Sequence, residues 1–282
     1  MKQLFLFVTI LLLPCGLRAQ VLMTPRPPAA HDTAEWTVAI NADQRTYYLG
    51  REYGDHSLAV SPSVIYSHPS GFYGQVSGYY FHQSVPPHYS FTDLEVGFAN
   101  SFTQAWTYSL SLDRVFFTQA LTNGEPLINN GLEANTAYSL GPLNLALDYN
   151  FFFQKQKAQT IALALSGTLK KEDWLGADAV SLTPGAEVFW GSPLAGLRYG
   201  GAYDALVPGT RRRKGRTGTV LPDETATPSL MGYELTLPLA YARYPFVYTL
   251  TGHYIAPVRA SAETEPLPRA AYASFRVDFT FR

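Results

Sequence analysis

The sequence contains one cysteine, Cys15, in 282 residues, and this cysteine lies in an N-terminal segment of a recognisable type. A lysine near the N-terminus precedes an apolar run from Leu4 to Leu13, and small residues follow near Ala19. This order is typical of a secretory signal peptide, so we predict one over residues 1–19, with cleavage after Ala19. Pro14 directly before Cys15 disfavours lipid attachment there. The cleaved chain would contain no cysteine and form no disulfide.

Long apolar runs and charged residues are also scarce. After residue 20 no apolar run approaches the roughly 18 residues that a membrane-spanning helix needs. Charged residues make up 15% of the chain, against about a quarter in soluble proteins. There are 21 Lys and Arg against 22 Asp and Glu, and losing Lys2 and Arg18 with the signal peptide leaves about −3. This near balance argues against a nucleic-acid partner.

Aromatic residues are abundant, with 19 Tyr and 17 Phe. A secreted, Tyr-rich chain of low charge that lacks an apolar helix has one common membrane form, the closed β-barrel, because every backbone polar group is then paired. We therefore predict an all-β, transmembrane antiparallel barrel in the outer membrane of a Gram-negative bacterium. The Pro-rich segment 20–35 is predicted to be a periplasmic tail, and 36–282 a single barrel domain.

The alternation of apolar and polar residues carries this prediction, and the last stretch shows it most clearly. One side of a strand would carry Phe275, Val277, Phe279 and Phe281, and the other Arg276, Asp278, Thr280 and Arg282. Side chains alternate faces along a strand, so one face is apolar and the other polar. A soluble β-sandwich also alternates, but here nearly every segment alternates, and aromatics lie at the strand ends.

The number of strands follows from parity. Thirteen candidate segments can be counted, the first of them extending to about Leu49 before a turn at 50–55. A bacterial barrel has an even number of strands, and with both termini periplasmic the turns agree only if 191–227 is one external excursion. We predict twelve strands, with fourteen as the alternative.

Three segments resemble uncharacterised outer-membrane barrel proteins of the Bacteroidetes type. They are Ser61 to Tyr66 continuing through Gly71 to Tyr73, then Tyr108 to Arg114, and Gly232 to Leu239. These are strand patterns without catalytic motifs. The resemblance implies a fold and a location in the cell, and it implies no activity.

The inward-facing side chains can be assigned by parity within each strand. The candidate lumen-lining residues are Asp93, Glu95, Asp113, Glu133, Asp148, Glu187, Glu234, Arg276 and Asp278. Carboxylates in a water-filled lumen select cations, whereas in a narrow lumen they would pair with arginines and close it. Arg114 falls on the lipid-facing parity, which predicts either a position at the rim or a bulge that shifts the phase.

A basic run is the strongest charge cluster of the sequence and lies in the predicted excursion. It consists of Arg211, Arg212, Arg213, Lys214 and Arg216. Such a run could bind lipopolysaccharide phosphates through charge-assisted hydrogen bonds, or it could be a solvated loop. The other expected partners are membrane lipid, the barrel-insertion machinery and, for a channel, small solutes.

Catalytic signals are weak. His88 and Ser90 form a His-x-Ser pair with Asn100 ten residues on, a pattern that some outer-membrane hydrolases use for a serine nucleophile and its base. No metal-ligand spacing or cofactor motif is present in the sequence. The leading hypothesis is a passive channel or transport-related barrel with an acidic lumen. The alternatives are a non-conducting structural or surface-interaction barrel and a lipid hydrolase.

Overall fold

The computed structural model describes residues 33–53, 58–82, 89–117, 128–192, 195, 228–258 and 267–282. Its strands are β1 Glu35–Asp43, β2 Thr46–Tyr48, β3 Arg51–Tyr53, β4 Ala59–Ser67, β5 Phe72–Phe81, β6 Tyr89–Ser101, β7 Trp106–Phe117, β8 Ile128–Leu140, β9 Leu143–Gln154, β10 Lys157–Gly167, β11 Leu169–Trp174, β12 Ala177–Leu182, β13 Gly185–Gly191, β14 Ser229–Arg243, β15 Phe246–Pro257 and β16 Ala270–Phe281. In these ranges no helix is long and apolar enough to cross a membrane. The predicted signal peptide, most of the predicted tail and the basic run lie outside them.

Fourteen of these segments form one antiparallel sheet that closes on itself, because β1 pairs with both β4 and β16. β10 and β11 follow each other with only Thr168 between them, and β12 continues into β13 after Thr183 and Pro184. Since β14 pairs with both β12 and β13, each of these two pairs of segments is one long strand. The barrel therefore has twelve strands, which confirms the twelve-strand prediction.

The two ends of the barrel differ in the length of their connections. We call the end that holds Glu35 and Phe281 the terminal end. Its connections are 68–71, 102–105, 141–142, 175–176 and 244–245. The opposite end, which we call the loop end, carries the longer connections, including 44–58 and 192–228, and one short turn at 155–156. The hairpin β11–β12 extends past its neighbours at the terminal end, and all six residues of β11 are exposed.

Alternation along the strands divides the barrel into an apolar outer face and a polar inner face. The outer face includes Ile40, Val96, Leu112, Leu147, Leu163, Leu237 and Leu250, all exposed large aliphatic side chains. A soluble protein rarely leaves so much contiguous apolar surface uncovered, whereas acyl chains cover it in a bilayer. Outward-facing aromatics such as Trp36, Trp106 and Tyr254 lie near the strand ends, where the bilayer meets water.

Two local features bear on the predictions from sequence. One corrects the end of the first strand, and the other decides between the two explanations predicted for Arg114. The first strand ends at Asp43 and not near Leu49, and residues 51–53 of the predicted turn at 50–55 instead form the second strand of a separate hairpin, β2–β3. Arg114 keeps the outward parity, because the pairing of β7 with both neighbours is unbroken through it. It lies exposed near the loop end, 5.1 Å over the Phe116 ring, so the rim position holds and β7 has no bulge there.

Candidate functional site

The inner face of the barrel is where the structure places the predicted lumen residues. The nine are Asp93, Glu95, Asp113, Glu133, Asp148, Glu187, Glu234, Arg276 and Asp278, all buried or half-buried and alternating with outward apolar residues. Asp43, at the end of β1, adds a carboxylate that the sequence analysis passed over, although it has the same inward parity as Thr37, Ala39 and Asn41.

Several of these carboxylates have a defined hydrogen-bond donor. The Tyr73 hydroxyl donates to Glu95 over 2.7 Å, and the Asn135 amide donates to Asp148. Arg276 contacts both oxygens of Asp278, with its closest nitrogen at 2.6 Å. Such bonds compensate a carboxylate for leaving bulk water. They also fix the directions in which these groups project into the bore.

Carboxylates also face each other across neighbouring strands. Glu95 of β6 lies directly opposite Asp113 of β7, and Glu187 of β13 lies directly opposite Glu234 of β14. Directly opposed residues have Cβ atoms about 5 Å apart, where like charges repel. Two such pairs concentrate negative potential on the inner face of these four strands.

A relay of hydrogen bonds crosses the last three strands, and the sequence analysis did not single it out. His253 Nδ1 lies 2.7 Å from Glu234 Oε1, and His253 Nε2 lies 3.0 Å from Ser274 Oγ. With Nδ1 protonated, the ring donates to Glu234 and accepts from the Ser274 hydroxyl. The order matches a serine-hydrolase triad, but the ring is stacked on Tyr272 at 4.4 Å and all three groups are buried. The relay cross-links β14, β15 and β16.

The hairpin β2–β3 lies inside the mouth of the barrel at the loop end. Tyr47 stacks on inward-facing Tyr272 of β16 with ring centroids 5.2 Å apart. Tyr53 packs against Phe81 of β5 at 5.8 Å, and Tyr48 reaches Phe152 of β9 at 6.2 Å. The hairpin therefore touches widely separated parts of the barrel wall.

The apolar clusters of the interior confirm how central the hairpin is. Leu49 packs against the cluster of Ala162, Phe189 and Met231 and also against that of Ile128, Phe152, Ala158 and Ala195. Five such clusters lie in the part of the chain that the structure describes, and four of them contain or touch a residue of this hairpin. Burial raises the pKa of the Tyr47 phenol and raises that of Tyr53 well above its usual range, which keeps both protonated.

Arg51 fastens the tip of the hairpin to the wall. Arg51 is 2% exposed, and its guanidinium donates to three carbonyl oxygens: Leu49 at 2.6 Å, Met231 of β14 at 2.7 Å and Val258 at 3.0 Å. A planar guanidinium can serve several acceptors at once, which an ammonium cannot match in geometry. In the sequence Arg51 falls in the predicted turn at 50–55, and two of its three acceptors are 180 and 207 residues away.

The remaining predicted site residues are not assembled into a site. Ser90 lies at the start of β6 and Asn100 near its end, so about 33 Å of extended chain separates them. His88 and the basic run Arg211, Arg212, Arg213, Lys214 and Arg216 lie outside the described residues. A different His-x-Ser pair does meet, with His68 Nδ1 2.7 Å from Ser70 Oγ, but it occupies an exposed turn at the terminal end.

In its fold, the twelve-stranded barrel is similar to solved outer-membrane porins. The KdgM porin superimposes with a TM-score of 0.50 over 87% of this chain and 99% of its own, at 9% sequence identity. The NanC porin gives 0.49 over 87% and 99% at 9% identity, and an outer-membrane channel from Pseudomonas putida F1 gives 0.49 over 93% and 100% at 10% identity. At such identities the likeness concerns the fold alone. No family model and no curated protein matches the sequence.

Proposed function

We propose that this chain is a passive outer-membrane channel for small solutes, with an acidic interior that prefers cations. The observation that carries the proposal is the charge of the described inner face. Between the two ends it bears the eight carboxylates predicted from sequence and Asp43, against Arg276 and His253, and the hairpin in the mouth adds Arg45, Arg51 and Glu52. Rings of carboxylates favour cations over anions in a water-filled pore. Twelve strands enclose a bore between a side-chain-filled eight-stranded barrel and a wide porin.

The orientation that we propose places the terminal end in the periplasm. In bacterial barrels the periplasmic turns are short and the external loops longer, and the terminal end carries the short connections. Both termini would then be periplasmic and the segment 191–227 external. The resemblance of three strand segments to Bacteroidetes barrels supports a host of that group.

The charge of the interior bears on the class of solute. The KdgM porin has been solved in complex with oligogalacturonate, which is a polyanion. An inner face rich in carboxylates repels such a solute, so we do not extend that ligand to this chain. Small cationic or neutral solutes fit the interior better.

Reversal potentials in planar bilayers test the proposal. In a potassium chloride gradient, single channels of the purified protein should reverse at the potential that indicates preference for K⁺, because the fixed charge of the bore is negative. The measurement should be repeated with residues 46–53 replaced by a short Gly-Ser linker. Anion preference in both proteins, or no conductance in either, would overturn the channel.

A non-conducting surface barrel is the second candidate, and the hairpin in the mouth is the observation that favours it. If the hairpin never leaves the mouth, the barrel does not conduct and serves as a rigid support for its loops. The linker variant separates the two, since it conducts only if the bore beneath the hairpin is passable.

For the basic run, we propose an external position with lipopolysaccharide phosphates as partner. Trypsin added to intact cells should cleave within Arg211 to Arg216 first and leave the barrel embedded, because five cations are too costly to place at bilayer depth. Added lipopolysaccharide should slow the cleavage. Protection in intact cells with cleavage only in spheroplasts would place the segment in the periplasm and contradict the orientation.

A further inference from the structure

The hairpin β2–β3 is not part of the barrel sheet. Its two strands pair only with each other, in a two-stranded sheet of their own. The barrel ladder closes without it, because β1 and β4 pair directly along nine residues. Removing the hairpin from the mouth would therefore break side-chain contacts and the Arg51 bonds while leaving the ladder intact.

The backbone at the tip of the hairpin is strained. Leu49 has φ of +51° and Gly50 of +79°, as a two-residue type I′ turn requires. Glycine adopts such angles freely, but leucine does so rarely. Leu49 is held there while its side chain packs on Ala162, Phe189 and Met231. Strain of this kind persists where surrounding contacts enforce it, and it is often found at switching elements.

The attachment of the hairpin is local. The base is fixed at Gln44, whose backbone nitrogen donates to Ala273 of β16 at 3.0 Å. Beyond this point, the polar bonds from the hairpin to the barrel wall shown above come from one side chain, Arg51. The contacts of Tyr47, Tyr48 and Tyr53 with Tyr272, Phe152 and Phe81 are between aromatic rings, and water or a solute can replace them.

We propose that residues 46–53 form a removable plug of the channel, latched by Arg51, and that its release opens the bore. This inference rests on the proposed function, because a plug matters only if the barrel conducts. The hairpin closes the loop end by contacting the wall in several directions. Its separate sheet allows it to leave, and the guanidinium of Arg51 opposes leaving.

A reversible crosslink tests whether the hairpin must move. A Cβ atom built on Gly50 lies 3.1 Å from the Pro257 Cβ, close to the roughly 3.8 Å typical of a disulfide. In a Cys15→Ser background, Gly50→Cys with Pro257→Cys should lock the hairpin under oxidising conditions. Single-channel openings should then be lost, and a reductant should restore them. Gly50→Cys alone controls for backbone strain and should not respond to reductant. Equal conductance in the oxidised and reduced double variant would overturn the plug.

Removing the latch tests the role of Arg51. Arg51→Ala should raise the open fraction by at least about tenfold, because each hydrogen bond from a charged donor is worth roughly that factor. Arg51→Lys should behave similarly, since an ammonium cannot reproduce the three contacts. Arg45→Ala is the matched control, because Arg45 lies at the base of the same hairpin and, within the described ranges, its polar contacts are Glu52 and Tyr47 of that hairpin.

The outcomes separate this inference from the proposed function. If the Gly-Ser linker variant does not conduct, the channel itself is wrong. If that variant conducts while the crosslink and Arg51→Ala change nothing, the barrel is a channel and the hairpin is not its plug. If Arg45→Ala opens the channel as much as Arg51→Ala, the latch is assigned to the wrong residue.

Discussion

A Gly97→Ala barrel is expected to unfold at a clearly lower urea concentration than the natural protein. Gly97 of β6 lies directly opposite Tyr73 of β5, and the Tyr73 ring lies over it. A Cβ atom at position 97 would come within 2.5–2.7 Å of two atoms of that ring and of its hydroxyl oxygen. The ring is buried, and its hydroxyl donates to Glu95 at 2.7 Å. Making room therefore displaces the ring and breaks the bond.

The expected loss of stability is about 1–3 kcal/mol, as for other overpacked interiors. The measurement is the urea midpoint in detergent, followed by strand circular dichroism and by heat-modifiable migration on gels. Gly252→Ala is the matched control, because Gly252 faces outward on β15 and a Cβ there meets nothing within 4 Å. That variant should stay within about 0.5 kcal/mol of the natural protein. Equal midpoints for the two variants would contradict the packing described here.

The variant Tyr73→Phe separates the contribution of the Tyr73 ring from that of its hydroxyl. This variant keeps the ring over Gly97 and removes only the hydroxyl that serves Glu95. A loss smaller than that of Gly97→Ala would assign most of the effect to the displaced ring.

Alternation made the barrel predictable from the sequence, because each strand shows the apolar and polar alternation by itself. In β9, Leu145, Leu147 and Tyr149 face outward while Ala146 and Asp148 face inward, as expected from a period of two. The parity of short and long connections then gave twelve strands, even though 191–227 has no clear pattern. The alternation is a local signal, and the parity of the connections depends only on counting them.

The hairpin could not be predicted in the same way. Thr46, Tyr47 and Tyr48 have the β-propensity of a strand that simply continues β1, so the first strand was extended to about Leu49. What turns these residues inward is contact with Phe152, Met231 and Tyr272, which lie about 100 or more residues away. Sequence patterns carry no record of such contacts.

The relay of Glu234, His253 and Ser274 was only partly predictable from the sequence. Parity within each strand places all three on the inner face, so the signal was present. Their meeting depends on the register between β14, β15 and β16, which sets Thr236 opposite His253 and Thr251 opposite Ser274. Only carboxylates and arginines were selected from the inward-facing residues, so His253 and Ser274 were passed over.

Neutralising the opposed pair Glu95 and Asp113 is expected to remove much of the cation preference of the open channel. The double variant Glu95→Gln and Asp113→Asn keeps the size of both side chains, and the new amide oxygen at position 95 can still accept from the Tyr73 hydroxyl. The variant should be made with residues 46–53 replaced by the linker, so that the hairpin does not limit the current. One unit charge about 4 Å away is worth about 1 kcal/mol even in bulk water. Losing two should lower the permeability ratio of K⁺ to Cl⁻ by roughly fivefold or more.

A matched control for this change lies on the extension at the terminal end. Glu172→Gln with Asp173→Asn removes the same charge from two exposed residues of β11. The Lys170 ammonium lowers the pKa of the Glu172 carboxyl through a hydrogen bond, so Glu172 is ionised at neutral pH and the control does remove charge. The control should leave the permeability ratio unchanged, since screening reduces a charge outside the bore over about 10 Å. If both double variants shift the ratio equally, the selectivity comes from the overall charge of the protein, and the carboxylates of the inner face do not select the ion.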